Sequence, residues 1–212
     1  MRIPIDAWTE FTCPFCFLAT TTLEQLQREL DVDIRWRSFE IRPPGSPPMS
    51  AEARLMVQSE HQYVEELLSA QFGLSLRPGP IGIGTRSAHL AAKYAESRGK
   101  GDAFHAAAMR AYWLEGRSIE EKSVLQKIGA EVGLIPGDLA AAWEDRSFPE
   151  AVMADQREAA ARGIRDLPGL LIAGRRLLSG ARPYEELREI VENLQKDDGK
   201  NEKYLVVSGD LG

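Results

Sequence analysis

The chain is poor in cysteine and histidine: its 212 residues hold two of the first and three of the second. A structural zinc site needs about four ligands, commonly paired Cys-x-x-Cys units or cysteines with closely spaced histidines. His61, His89 and His105 stand far apart, so no metal centre is expected. Long apolar runs are missing too. No stretch approaches the roughly 18 residues of a membrane span. The opening Met1-Arg2-Ile3-Pro4-Ile5-Asp6 lacks the apolar segment and small-residue cleavage site of a secretory leader. The expected setting is therefore cytoplasmic, with no membrane partner. Dense Lys/Arg clusters are absent and the formal net charge is −6, which argues against a nucleic-acid partner. Apolar residues at 43 % and charged residues at 27 % are ordinary for a soluble globular protein. The length suits one large domain, or a domain carrying a sizeable insertion.

The two cysteines are not scattered. They form Thr12-Cys13-Pro14-Phe15-Cys16, a spacing that random placement would give about once in a hundred chains of this length. In the cytosol such a pair is expected to be catalytic or redox-sensing. Three residues close too short a loop to serve as a staple. The pair follows a strand pattern, Ile3 to Trp8, and opens a helical one, Phe17 to Leu30, with Leu18, Leu23, Leu26 and Leu30 at helical spacing. Pro14 suits the first helical turn. Val32-Asp33-Ile34-Arg35-Trp36-Arg37 then alternates as a half-exposed strand, its charged face predicting a sheet edge. These three elements make a right-handed βαβ unit with parallel strands.

Arg42 to Pro48 carries four prolines in seven residues and reads as a linker. From about residue 50 to 163 the sequence is Ala-rich and helical in period. Helices are expected over about 52–72, 85–97, from Asp102 as N-cap to Trp113, from the capping box Ser118–Glu121 to Val132, then 136–144 and 149–162. Gly79 to Gly84 lacks the preceding strand and the Lys-Ser/Thr of a phosphate loop. After Gly163 a β-hairpin is predicted from Leu170–Ile172 and Arg176–Ser179, followed by a helix from Pro183 with Leu187, Ile190, Val191 and Leu194 on one face. Lys196 to Gly212 reads as a polar tail, with Tyr204–Val207 as a candidate edge strand and disorder the expectation.

Without the helical block, the order is β-α-β then β-β-α, an α/β thioredoxin-like fold with a large all-helical insertion. The expected divisions are 1–41 and 164–196 for the core, 42–163 for the insertion and 197–212 for the tail. An antiparallel strand beside the first would begin at the cysteine end. Pro168 is therefore expected beside Cys13, 155 positions away in sequence, and a cis Leu167–Pro168 bond fits that arrangement.

Asp6 to Cys16 resembles the opening of DsbA-family thioredoxin-like proteins, and among them the FrnE-type oxidoreductases most. 2-Hydroxychromene-2-carboxylate isomerases and kappa-class glutathione transferases are cousins. The resemblance extends through Phe39-Glu40-Ile41-Arg42-Pro43, Gly84 to His89, Gly163 to Pro168 and Ser179 to Pro183. It implies thiol–disulfide exchange, as oxidoreductase or isomerase, with Cys13 and Cys16 as the redox pair and Pro168 as the family's cis-proline. Pro14, Phe15 and Leu167 would meet the substrate. Partners would be protein or low-molecular-weight disulfides and thiols. No cofactor is required beyond the redox-active disulfide, with glutathione a candidate co-substrate. The family usually has Val before the proline and Thr or Phe after it, where this chain has Leu167 and Gly169.

Cys13, at the helix N-terminus, is placed to accept N–H bonds from the first turn and to attack as thiolate. Cys16 would resolve the mixed disulfide. Pro14 and Phe15 add no donor, which predicts a middling potential. Asp6 reads as a satisfied strand-end polar group and Glu10 as a solvated loop charge, although either, if buried behind the pair, could deprotonate Cys16. His89 and His105 read as helix-packing or surface residues, and Tyr112 and Trp113 as core aromatics. Two other readings stand beside the oxidoreductase: a glutathione-dependent transferase or isomerase of the kappa/chromene type, and a redox-regulated binding or chaperone module.

Overall fold

A computed structural model describes residues 2–196 and 205–207. The chain begins as a βαβ unit: β1 (Ile3–Thr9), α1 (Pro14–Glu29) and β2 (Val32–Ser38). Helices α2 (Ala51–Phe72), α3 (Arg86–Ser97), α4 (Gly101–Trp113), α5 (Lys122–Glu131), α6 (Pro136–Ala142) and α7 (Ser147–Ala161) follow. The chain then returns as β3 (Gly169–Ile172), β4 (Arg176–Ser179), α8 (Tyr184–Lys196) and β5 (Leu205–Val207). The sheet order is β2-β1-β3-β4-β5. β1 runs parallel to β2 and antiparallel to β3, so the βαβ and ββα halves join along β1. This is the α/β thioredoxin-like arrangement with a helical insertion. β2 lies at one edge, as its charged face predicts.

Alternation along β1 sorts its residues between two cores. Ile3, Ile5 and Ala7 pack with Leu23 and Leu26 of α1 and with Leu187, Ile190 and Val191 of α8. Trp8 points the other way, against Ala159 of α7, Ile164 and Leu171. The Tyr184 hydroxyl donates to Glu29, tying the start of α8 to the end of α1. Most of the insertion has its own core, built on Trp113, Tyr112, Phe104, Met109 and Leu68, and that core continues into Cys13 and Cys16.

One residue of the insertion makes several contacts with the sheet. Asp155 of α7 is buried, and its carboxylate accepts from the Ser38 amide at 2.8 Å and pairs with Lys93 at 2.6 Å and Arg37 at 3.4 Å. Its carbonyl takes the Trp8 indole N–H at 3.0 Å. One acid therefore touches β1, β2 and α3 from α7.

Several boundaries differ from the sequence reading. Ser118–Glu121 does not cap α5: it closes a turn through the Glu121 amide and Ser118 carbonyl, and the helix starts at Lys122. Ile119 is fully buried and Glu120 bonds the Gly84 amide, so these side chains are used across the fold rather than along a helix. Asp102 lies inside the first turn of α4, with Lys100 at the N-cap. A carboxylate there still favours the helix through its dipole. α7 begins two residues before Pro149, which its first turn accommodates. Leu205–Val207 pairs in parallel with β4, in place of the expected disorder. The rest of the predicted tail, 197–204 and 208–212, lies outside the described residues.

Candidate active site

The chain leaves β1 at Thr9, turns through Glu10–Thr12 and enters α1 with Cys13 as N-cap, in extended backbone (φ −89°, ψ 119°). The Cys13 amide donates to the Glu10 carbonyl at 3.1 Å, and the Cys16 and Phe17 amides donate to the Cys13 carbonyl at 3.1 and 3.2 Å. Pro14 at the first helical position removes a donor that would have no partner there. Both cysteines are free thiols. Both residues are buried, Cys13 keeping 7 % exposure and Cys16 none.

The bond expected from the first helical turn to the Cys13 side chain is not made; α1 has no side-chain cap. The N–H bond goes instead to the second sulfur, where the Glu10 amide approaches Cys16 Sγ at 3.5 Å. Burial pushes the Cys16 thiol well above the ordinary range, and neighbouring Cys13 pushes it further. The Glu10 amide works against that rise.

Pro168 precedes β3, whose Gly169 is the register partner of Trp8 at the end of β1. The strand order thus brings Pro168 to the cysteine end of the sheet, and the Leu167–Pro168 bond is cis. The Pro168 carbonyl accepts from the Gly180 amide at 2.9 Å. Leu167 is half-buried against the cluster that contains both cysteines. A side chain at 169 would place its Cβ 2.6 Å from Ile164 Cγ2. That close approach accounts for the glycine where the resemblance leads one to expect Thr or Phe. Phe15 is half-buried, its ring 6.3 Å from Tyr63 of α2, while Pro14 is buried.

Glu10 is not the solvated loop charge that its sequence position suggests: it is 1 % exposed. One carboxylate oxygen takes the Thr85 hydroxyl at 2.9 Å and the Ile41 amide at 3.2 Å. The other takes the Thr12 amide at 3.4 Å and lies 3.5 Å from His89 Nε2. Asp6 is the satisfied polar group expected, paired with Arg37 at 2.7 Å. His89 and His105 are helix-packing rather than surface residues, and they pack on the site itself, with ring centroids 5.0 and 5.4 Å from Phe11. His105 stacks on Trp36 at 3.7 Å and meets the Thr9 hydroxyl at 3.1 Å. Its burial, aided by nearby His89, lowers its pKa to about 3, so the ring is neutral. Tyr112 and Trp113 are core aromatics; Trp113 stacks on Phe17 and donates to the Phe11 carbonyl at 2.9 Å.

Thr85 and His89 escaped sequence reasoning as site residues, since both lie about seventy positions from the cysteines in an unremarkable helix start. The stretch Gly84–His89 did carry the family resemblance, and that was its signal. Among the described residues no group of three or more Cys, His, Asp or Glu is placed to hold a metal. No described helix is long and apolar enough to cross a membrane.

A strand-to-helix Cys-x-x-Cys pair beside a proline that opens an antiparallel strand defines a thioredoxin-fold redox protein. The sequence from 4 to 192 matches the DSBA-like thioredoxin domain, and the chain belongs to that family. It is 25 % identical over 206 residues to the uncharacterized protein YwbO of Bacillus subtilis (strain 168), covering 92 % of this chain and 99 % of that one. Among solved structures, the probable DsbA oxidoreductase SCO1869 from Streptomyces coelicolor superposes with a TM-score of 0.79 at 22 % identity, over 95 % of this chain and 94 % of the other. The cytosolic disulfide reductase DsbM from Pseudomonas aeruginosa, solved with GSH, gives 0.70 at 20 % identity over 91 % and 99 %.

Proposed function

We propose that the protein is a thiol–disulfide oxidoreductase in which Cys13 attacks, Cys16 resolves and Pro168 completes the site. One observation carries the reading: the more exposed cysteine sits at the N-cap of α1, and a fully buried one lies one turn further in. The Cys13 thiolate attacks one sulfur of a client disulfide and displaces the other as a thiolate. Cys16 then gives up its proton to the first client thiolate, attacks the Cys13 sulfur and releases the second client thiolate. The client gains two electrons and the pair leaves as a disulfide; the reverse sequence oxidises a client dithiol.

Phe15 and Leu167, both half-buried beside the pair, offer apolar contact to residues flanking a client's reactive sulfur, and Pro14 holds the backbone between the thiols. Clients are protein or low-molecular-weight disulfides in a cytoplasmic setting. The likeness to a cytosolic reductase solved with GSH supports glutathione as co-substrate. Within the family, the FrnE-type branch is the reading that Phe39–Pro43 and Gly163–Pro168 favour, with isomerisation of wrong disulfides as the activity a trapped Cys13 adduct would allow. Insulin reduction and refolding of a scrambled disulfide protein test the proposal. Both should be lost in Cys13→Ser. A glutathione-dependent activity that survives Cys16→Ser, with no disulfide exchange in the unaltered protein, would refute it in favour of a transferase.

A further inference from the structure

β2 is an open edge of the sheet, and its hydrogen bonds fall in a definite phase. The Ile3 amide donates to the Asp31 carbonyl at 3.0 Å and the Phe39 amide to the Thr9 carbonyl at 3.1 Å. Between them Ile3 to Thr9 run in register with Val32 to Ser38. Successive residues of a strand turn their amides and carbonyls to opposite sides. Asp33, Arg35 and Arg37 therefore bond β1, and Ile34 and Trp36 turn both groups away from it. Beyond these two the edge is closed, the Val32 amide by the Leu30 carbonyl at 2.9 Å and the Ser38 amide by Asp155 at 2.8 Å. Among the described residues nothing takes the outward groups of Ile34 and Trp36.

A cavity of about 480 Å³ runs beside these two residues. Asp33 to Ser38 form one wall, and α3, the turn at 99–100 and the start of α4 form the other. Thr9 and Phe11, which lead from β1 toward Cys13, also line it. Two of its wall residues, Trp36 and His105, each hold a buried ring nitrogen with no protein partner among the described residues. Buried polar groups are ordinarily hydrogen-bonded. The charged side chains of the walls, by contrast, are mostly committed: Arg35 to Asp33, Arg37 to Asp6, and Lys93 to Asp155 and Glu96.

We propose that this edge groove docks an extended, uncharged segment of a non-native polypeptide, which adds to β2 as a further strand through Ile34 and Trp36. The inference rests on the oxidoreductase reading above and names its clients: unfolded or misfolded chains, ahead of folded proteins and small disulfides. A strand edge is a template for pairing that any residue but proline can complete. In strand addition the main-chain bonds supply the affinity. A polypeptide carries a donor and an acceptor at nearly every residue, which matches the mixed demand of the two outward residues and the two ring nitrogens. An ionic occupant would have to break pairs that the walls already make, so a neutral one is favoured. Two outward residues hold a segment without trapping it, as a client that must leave after exchange requires. The groove ends at Thr9 and Ser38, the cysteine end of the sheet. A client segment lying in it is therefore held on the Cys13 side of the fold.

Ribonuclease that has been reduced and capped with iodoacetamide stays unfolded and carries no thiol, so it reports docking apart from exchange. With it present at about ten times its Kd, about one protein molecule in ten is free. Hydrogen exchange at the Ile34 and Trp36 amides, read by nuclear magnetic resonance, should then slow about tenfold. The Asp33, Arg35 and Arg37 amides, already bonded to β1, should not change. Ala103→Trp, at an exposed position of the opposite wall in the first turn of α4, fills the groove. It should raise that Kd about tenfold and leave the reaction of Cys13 with a small disulfide as it was. No binding, binding without protection at Ile34 and Trp36, or binding undiminished by Ala103→Trp overturns the proposal. So does protection of these amides that grows with the concentration of the protein alone, which would give the edge to a second copy. If the unaltered protein shows no Cys13-dependent reaction with a small disulfide, the oxidoreductase reading itself fails; normal Cys13 chemistry without docking sinks the inference alone.

Discussion

Acid should unfold this protein through His105. The ring is 2 % exposed, stacked on Trp36, bonded to Thr9 and neutral, with a pKa of about 3 against 6.5 for a solvated imidazole. Unfolding releases it to water, where it binds a proton at any pH below about 6.5. The folded value is the lower one, so this contribution is fully present above pH 6.5 and is lost as pH falls toward 3. The slope approaches about 1.36 kcal/mol per pH unit. Near pH 5 the loss is about 2 kcal/mol, and it grows to about 3 kcal/mol by pH 4. Those are large fractions of an ordinary domain's stability. Urea unfolding followed by tryptophan fluorescence, at pH 8, 7, 6 and 5, would measure it against His105→Gln. The difference in unfolding free energy between the two proteins should be constant above pH 7 and should shift against the unaltered protein by about 2 kcal/mol between pH 7 and 5. Parallel curves across that range would refute the argument, as would a ring that titrates near 6.5 by nuclear magnetic resonance.

Removing the Asp155 carboxylate should cost about 3 kcal/mol in urea unfolding, because the Ser38 amide would lose its acceptor and buried Lys93 would keep only the more exposed Glu96 as partner. Asp155→Asn should lose less than Asp155→Ala if the amide still accepts from Ser38. Gly169→Ala should destabilise by about 1–3 kcal/mol through its collision with Ile164, and Ile164→Val should recover little of it, since the Cγ2 methyl is retained. Cys16→Ser should hold a client on Cys13 as a mixed disulfide visible by mass spectrometry under non-reducing conditions. Rapid release of the client from that variant, without added thiol, would contradict the resolving role of Cys16.

The parts of the fold that were legible in the sequence are those that depend on local periodicity. Alternation marked β1 and β2, the 3.6-residue spacing marked α1 and α8, and element order then gave the thioredoxin-like topology and the approach of Pro168. Glu10 was not legible, because its burial depends on Thr85 and on the Ile41 amide, brought in by a helix and a loop from distant sequence. His105 was read as a helix-packing or surface residue; it packs, but where it packs was hidden for the same reason, since its partners Thr9 and Trp36 belong to strands near the start of the chain. The capping-box pattern at Ser118 failed in a different way. Local propensity favoured a cap there, but burial of Ile119 and the bond from Gly84 to Glu120 drew the segment into a turn.

The position of β1 also sets an order of assembly. Its parallel neighbour β2 is available almost at once, but its other neighbour, β3, is translated only after six further helices. Until Gly169–Ile172 leaves the ribosome, one side of β1 presents a row of unpaired amides and carbonyls, the feature that invites pairing with foreign strands. The Trp8 face is equally bare until α7 arrives with Ala159. Closing such a distant pairing is slow by nature. The cysteines are thus made early, in a half-built site, and wait for nearly the whole chain before Pro168 joins them.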